Sequence, residues 1–389
     1  MPATDRVYLD NAATSFPKPE AVHDAVEKYS RELGVAYGRG AYRQALEVQG
    51  IVDRCRLRAS ELFGAESSDR IIFTFNGTDS LNLALQGVLS SDDHVVTSVI
   101  EHNSVLRPLR TLQQQKRIEV TYVDADQQGR VDAADVRSAV RPNTKLIALI
   151  HASNVTGTLQ PIANVGEIAS EAGILFLLDA AQSAGHLPID VGEFPVDLLA
   201  CPGHKGLLGP LGTGLLYIRP GVEEQLVSHR QGGTGSSSED DHQPGVLPDK
   251  YESGNHNVPG LFGLEAALAY LQQRGVDSIA AHEHELTSRL LDGLREIKPL
   301  RIHGMANMVG RVGVVSVSIP DLEPQVLAGI LDENFGIQTR AGLHCAPGAH
   351  KSIGTFEQGG TVRLSCGPFT TTDQIDATVE AMRHVAESL

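Results

Sequence analysis

Short, unbroken apolar runs alternate with longer amphipathic stretches from about residue 70 onward. The runs at 71–75, 94–99, 118–123, 145–151, 174–179, 197–201 and 214–218 have the length of strands and lack polar alternation, so they are read as strands buried on both faces. The intervening stretches at 79–89, 104–116, 132–140 and 162–172 read as helices. Strands separated by helices require crossover connections, which are right-handed. The pattern therefore predicts an α/β fold: a mainly parallel seven-stranded sheet with helices on both faces.

The flanking segments read differently. Residues 1–18 are polar and run up to Pro17 and Pro19, predicting an extended arm that joins a smaller domain and leads into a helix near Glu20. Residues 47–63 place Val48, Ile51, Val52, Cys55 and Ala59 at helical spacing, so Cys55 is expected to be a packing residue. The polar, glycine-rich loop at 231–245 is too long for a simple connection, and is expected to cover a site or cross to another subunit. A longer helix at 260–273 then leads into helices at 277–297, 323–334 and 372–387, with short strands near 312–319, 337–339 and 361–365. The expected division is an arm (1–18), a large domain (19–259) and a smaller α+β domain (260–389).

Composition narrows the function. A net charge of −16 over 389 residues argues against nucleic acid and anionic membrane surfaces as partners. The N-terminus lacks the pattern of a signal peptide and no apolar run reaches membrane-spanning length, so the cytoplasm is the expected compartment. Four irregularly spaced cysteines (Cys55, Cys201, Cys345, Cys366) form neither a disulfide nor a zinc framework. His282-Glu-His-Glu285 would put its two histidines on different faces of a helix, so no metal site is expected there. The glycines from Gly209 to Gly214 have the wrong order for a dinucleotide loop.

In sheets of this kind ligands sit beyond the carboxyl ends of the strands. Asp179 closes one apolar run there, and Lys205, in Gly203-His204-Lys205, follows the neighbouring one. An amine that can form a Schiff base, beside an aspartate for a pyridinium nitrogen, is the pattern of a pyridoxal phosphate site; the plain alternative is a lysine on a surface turn. Asn76-Gly77-Thr78-Asp79-Ser80, between a strand and a helix, offers a phosphate cradle or simply a helix cap at Thr78 or Asp79. His102 follows a strand and is placed to stack on a planar ring or move a proton. Asn154 reaches the same crevice, to bond a ring oxygen or a substrate carboxylate, or to form a turn. Cys345 lies between Arg340, His344 and a proline, and cationic neighbours favour the thiolate; a buried packing cysteine is the alternative. Arg363 stands in an otherwise apolar strand and needs an anionic partner, for which a substrate carboxylate would serve.

These residues occur in an ordered series: Tyr8-Leu-Asp-Asn-Ala-Ala-Thr14, Asn76 to Asp79, Glu101-His102, His151-Ala-Ser-Asn154, Asp179-Ala-Ala-Gln182, Gly203-His-Lys205, Arg340 to Ala346 and Arg363. In that order the chain resembles the class V, fold-type I pyridoxal phosphate enzymes, and among them the group II cysteine desulfurases and selenocysteine lyases. The resemblance implies that Lys205 carries pyridoxal 5'-phosphate as a Schiff base and Asp179 pairs with its ring nitrogen. It puts Gln182 at the ring hydroxyl and His102 over the ring, with Asn76, Gly77, Thr78, His204 and Asn255 at the phosphate end. Asn11, Ala12, Arg39, Asn154, Arg340 and Arg363 fall on the substrate side.

The activity implied is conversion of L-cysteine to L-alanine, Lys205 removing the Cα proton and Cys345 accepting sulfur as a persulfide. A homodimer with a shared site and a sulfur-acceptor protein are implied as partners. The chain departs from the family pattern at Pro202, where a serine is usual, at Asn255, where a threonine-bearing motif is replaced, and at Leu343, where the first histidine before the cysteine is absent. A selenocysteine lyase or other carbon–sulfur lyase is the first alternative, then an aminotransferase or a non-catalytic module of the same fold.

Overall fold

The apolar runs pair into one seven-stranded sheet in the order Ile71–Thr74, Gly214–Ile218, Leu198–Pro202, Leu175–Asp179, Thr144–Ile150, His94–Ser98, Glu119–Val123. This is a computed structural model that describes residues 6–389 apart from 39, 117, 237–238 and the side chain of 116. Five neighbouring strands are parallel, and Gly214–Ile218 is antiparallel to both strands beside it. The reason is local: residues 203–213 form turns rather than a helix, and a connection without a crossover returns the chain antiparallel.

Side chains alternate between two covered faces. Phe176, Leu178, Leu199 and Leu215 enter one apolar cluster, while Leu175, Leu177, Leu198 and Leu216 enter the other. Cys55 and Cys201 are buried in the first cluster, and burial pushes both thiols well above their ordinary range. The helix Val258–Arg274 also belongs to this cluster, through Val258, Leu261, Leu264, Leu268 and Leu271. It packs on Glu20–Lys28 and Arg43–Leu62, so the cover of the large sheet extends to Arg274 rather than stopping near 260.

Beyond Gly275 a four-stranded antiparallel sheet runs Arg340–Gly342, Thr361–Ser365, Val314–Ser318, Arg301–His303. The helices Val276–Arg295, Pro324–Phe335 and Thr372–Glu387 pack with it around a separate apolar cluster. The N-terminal arm is stitched to this part: Val7–Tyr8 pairs with Ile337–Gln338 and Asp10 bridges Ser365. From there residues 11–18 pass across the end of the large sheet. Among the described residues no helix is long and apolar enough to cross a membrane.

One buried ion pair ties the long helix at the edge of the sheet to the segment before Val258. Arg56 meets Glu252 with two parallel contacts of 2.6 and 2.8 Å, and Glu252 also accepts the Phe73 N–H at 2.6 Å. Burial alone would raise the Glu252 carboxyl, but Arg56 and His256 hold it down at about 2. Removing one member of such a pair strands the other charge. Arg56→Leu is expected to lower stability by about 3 kcal/mol in urea unfolding, and an unchanged midpoint would show the pair to be dispensable.

Candidate active site

A cavity of about 210 Å³ opens at the carboxyl ends of Leu175–Asp179 and Leu198–Pro202. These strands are neighbours, with Asp179 opposite Ala200, so Asp179 and the turn at 203–205 border one crevice. Asp179 is buried; loss of water raises its carboxyl, opposed by the Ala181 N–H at 2.9 Å and by Lys205. Lys205 lines the same cavity. Packing around it pushes the amine down to about 8, with Asp179 pulling the other way and Arg363 and Arg340 reinforcing the fall. An amine so placed is partly neutral near physiological pH, as a nucleophile or base requires.

The helix Gly77–Val88 starts two residues earlier than the sequence pattern indicates, because Asn76 is its cap: Asn76 Oδ1 accepts the Asp79 N–H at 2.9 Å. The amides of Gly77 and Thr78 are left without an intrahelical acceptor at the positive end of the helix. Glycine is needed at 77 by close approach. A Cβ there would stand 3.1 Å from Pro202 Cδ, so the strand end and the helix start together shape a small anion cradle. His204 also lines the cavity; its Nδ1 is buried and has no partner, and burial, Lys205 and Lys18 push the ring down to about 4.

His102 forms the wall between this cavity and an open groove outside it. Its Nδ1 accepts the Ser104 N–H at 3.1 Å, and Ser104 Oγ lies 2.9 Å from Nδ1 and 2.7 Å from Thr78 Oγ1. Burial, then Lys205 and Arg340, lower the ring to about 4, so it is neutral, with Nδ1 accepting and the proton assigned to Nε2.

On the far side Asn154 Nδ2 donates to His344 O at 2.6 Å, and Arg363 Nη1 donates to Asn154 O at 3.1 Å. Arg363 is 1% exposed and already has an anionic partner within the chain: Nη2 meets Asp10 Oδ1 at 2.8 Å. A substrate carboxylate is therefore not needed to explain its burial. Arg363 Nε and Asn154 Oδ1 nevertheless stay unpartnered beside the cavity.

His344 and Cys345 both adopt left-handed backbone, with φ of 48° and 60°. Two such residues in succession store strain, held here by Asn154 on His344 O and by the Asn103 N–H on Cys345 O at 2.8 Å. The turn lifts Cys345 onto the rim of the groove, exposed, with Arg340 Nη2 at 3.7 Å from Sγ. The other three cysteines are buried.

Most of the expected positions thus converge. Ala12, Asn76, Gly77, Thr78, His102, Asn154, Asp179, Gln182, His204, Lys205, Arg340 and Arg363 line the cavity, and Gln182 Nε2 also donates to Ala12 O at 3.0 Å. Asn11 is not among the lining residues; it is buried in the frame, where Nδ2 donates to Ser365 O and Oδ1 accepts the Phe16 N–H. Asn255 is exposed and is also not among them. Arg39 lies outside the described residues. Ser104, Asp10 and the buried pair His186–Glu283, at 2.9 Å, were not singled out from the sequence. Asp10 had a usable signal, since it precedes Asn11 in the same motif.

The aminotransferase class-V family model matches residues 7–378. The chain belongs to that family. Within the class-V aminotransferases it is 36% identical to a probable cysteine desulfurase of Methanothermobacter thermautotrophicus, over 98% of this chain and 95% of the relative. It is 31% identical to a cysteine desulfurase of Haloferax volcanii, over 97% and 89%. Among solved structures, the apo cysteine desulfurase of Thermococcus onnurineus superposes with a TM-score of 0.93 at 32% identity, covering 99% of this chain and 96% of that one. The Escherichia coli cysteine desulfurase CsdA, in an S-sulfonic acid form, gives 0.89 at 28% identity, with coverage of 99% and 96%. These superpositions agree with the fold-type I architecture built above, while the layout of the site rests on this chain's own geometry.

The depressed amine makes a direct prediction. In cofactor-free protein an amine-acylating reagent, followed by peptide mass spectrometry, should label Lys205 half-maximally near pH 8. An ordinary lysine titrates near 10.4, and labelling of Lys205 on that curve would contradict the packing argument.

Proposed function

We propose that this protein is a pyridoxal phosphate-dependent cysteine desulfurase that converts L-cysteine to L-alanine and takes the sulfur onto Cys345 as a persulfide. The observation that carries this reading is Cys345 itself. It is the one exposed cysteine of the four, on a strained turn beside Arg340, at the rim of the open groove that His102 divides from the cavity holding Lys205 and Asp179.

The residues present suit the cofactor. Lys205 would meet its aldehyde carbon, Asp179 its ring nitrogen, Gln182 its ring hydroxyl and His102 its face. The free amides of Gly77 and Thr78, the Thr78 hydroxyl and the unpartnered His204 Nδ1 would take the phosphate. When bound, pyridoxal phosphate supplies an electron sink that makes an amino acid's Cα proton removable.

Lys205 Nζ, with its lowered proton affinity, accepts that proton. Arg363 Nε and the second N–H of Asn154 Nδ2 orient the substrate carboxylate, which shares Arg363 with Asp10. His102 offers Nε2–H toward the reacting groups. Cys345 Sγ, beside Arg340, gives up its proton and attacks the substrate sulfur: the S–S bond of the persulfide forms as the substrate's Cβ–S bond breaks, and the pair left on Cβ takes a proton to become the methyl group of alanine.

The reading extends to a homodimer with a shared site, whose interface would cover Asn255 and the exposed Phe75 next to Asn76. An acceptor protein would collect sulfur from the exposed thiol. The free state of all four cysteines suits a reducing compartment such as the cytoplasm.

Leu343 favours one second reading. It gives Cys345 no histidine neighbour on that side, and a substrate that needs no thiol attack, selenocysteine, would be released without it. The two readings separate on Cys345→Ala. With L-cysteine and a dithiol present, alanine formation should fall by about a hundredfold, with cofactor content unchanged. Full alanine formation from L-cysteine in that variant would overturn the desulfurase reading, and activity kept only toward L-selenocysteine would favour the lyase. Pyruvate in place of alanine would indicate β-elimination.

A further inference from the structure

The turn that carries Lys205 is gripped by the N-terminal arm. His204 O accepts the Ser15 N–H at 3.0 Å, Thr14 Oγ1 at 3.1 Å and Lys18 Nζ at 2.8 Å, and Lys205 O accepts Ser15 Oγ at 2.9 Å. Lys18 Nζ also reaches Ser15 Oγ at 2.6 Å. This half-buried ammonium therefore rests on neutral oxygens alone: among the described residues no carboxylate lies within 4.0 Å of it. A cation drawn out of water with only a carbonyl and a hydroxyl for company is undercompensated, and loss of water lowers its pKa to about 8. An anion brought nearby would stabilise it.

The phosphate cradle has the complementary deficit. Its groups are neutral: the Gly77 and Thr78 amides, the Thr78 hydroxyl, and the His204 imidazole with a pKa of about 4. The two arginines that line the cavity are committed elsewhere, Arg363 to Asp10 and Arg340 toward Cys345. A phosphate monoester carries close to two negative charges at neutral pH. Besides Lys205, which the cofactor's aldehyde would engage, the cation acting on His204 is Lys18, hydrogen-bonded to the backbone of His204 itself.

We infer that Lys18 is a positioning residue for the phosphate end of the cofactor: it holds the His204 segment and supplies the fixed positive charge that the neutral cradle lacks. This rests on the cofactor reading of the site. Lys18 acts through the His204 segment, so its signature is a preference for the phosphorylated ligand rather than for the ring.

The test is binding. Full-length cofactor-free wild type, Lys18→Met and Lys18→Arg are each checked for cooperative thermal unfolding, then titrated with pyridoxal 5'-phosphate and with pyridoxal, following absorbance. Lys18→Met should weaken the phosphate ester by about tenfold and leave pyridoxal within about twofold of wild type, while Lys18→Arg should restore most of the loss. Lys18→Gln, which keeps a donor for His204 O, makes the same comparison where the methionine variant does not fold. Equal weakening of both ligands, or of neither, or no rescue by arginine, would overturn the inference while leaving the cofactor reading intact. A wild type that binds neither ligand would overturn the cofactor reading, and this inference with it.

Discussion

The Lys205 amine and the Asp179 carboxylate share a crevice from which most water is excluded, and each is displaced from its usual ionisation by that exclusion. Left alone, burial would neutralise both; each partly restores the other's charge. The rest of the structure serves to keep this arrangement in place. Adjacent parallel strands deliver the two residues to one edge, and the turn that follows, rather than a helix, reverses the chain into Gly214–Ile218 and fixes where the amine points. The balance leaves the amine partly free of its proton while Asp179 keeps a charge partner, the condition a pyridinium-binding site requires.

Around that pair the site is assembled from distant segments. The arm pairs with Ile337–Gln338, passes the cavity, and binds the carbonyls of His204 and Lys205. Arg363, from the smaller sheet, crosses to Asp10 of the arm and to Asn154 of the large sheet's loop. One arginine thereby ties three parts of the chain together, and its remaining Nε faces no partner. The strained turn at His344 and Cys345 depends on the same junction, since Asn154 and Asn103 hold its carbonyls. Strain of this kind persists only where the surroundings fix it, and here it has a purpose: it brings one thiol out of the interior to the rim.

The large sheet was legible in the sequence because strands buried on both faces leave continuous apolar runs, and all seven fall within a residue or two of their observed positions. Lys205, Asp179 and His102 were legible for a related reason, being polar residues at the ends of such runs. The reversal of Gly214–Ile218 lay in a glycine-rich segment whose turns leave no apolar period. The strands Arg301–His303 and Arg340–Gly342 are short and partly polar, so tertiary pairing alone defines them. The Asp10 partner of Arg363, and the Ser104 bridge from His102 to Thr78, are contacts between segments brought together only by the fold. The placement of Asn11 in the frame instead of the cavity also depends on a long-range bond, to Ser365.

The central claim is that the Lys205–Asp179 crevice and Cys345 act on one substrate. Its most direct test is a single turnover of holoprotein with L-cysteine labelled in sulfur, quenched with a thiol-blocking reagent and mapped by peptide mass spectrometry. The account predicts one labelled sulfur on the Cys345 peptide for each alanine formed, with Cys55, Cys201 and Cys366 unlabelled because they are buried. Alanine formed without label on Cys345, or label on another cysteine, would contradict it.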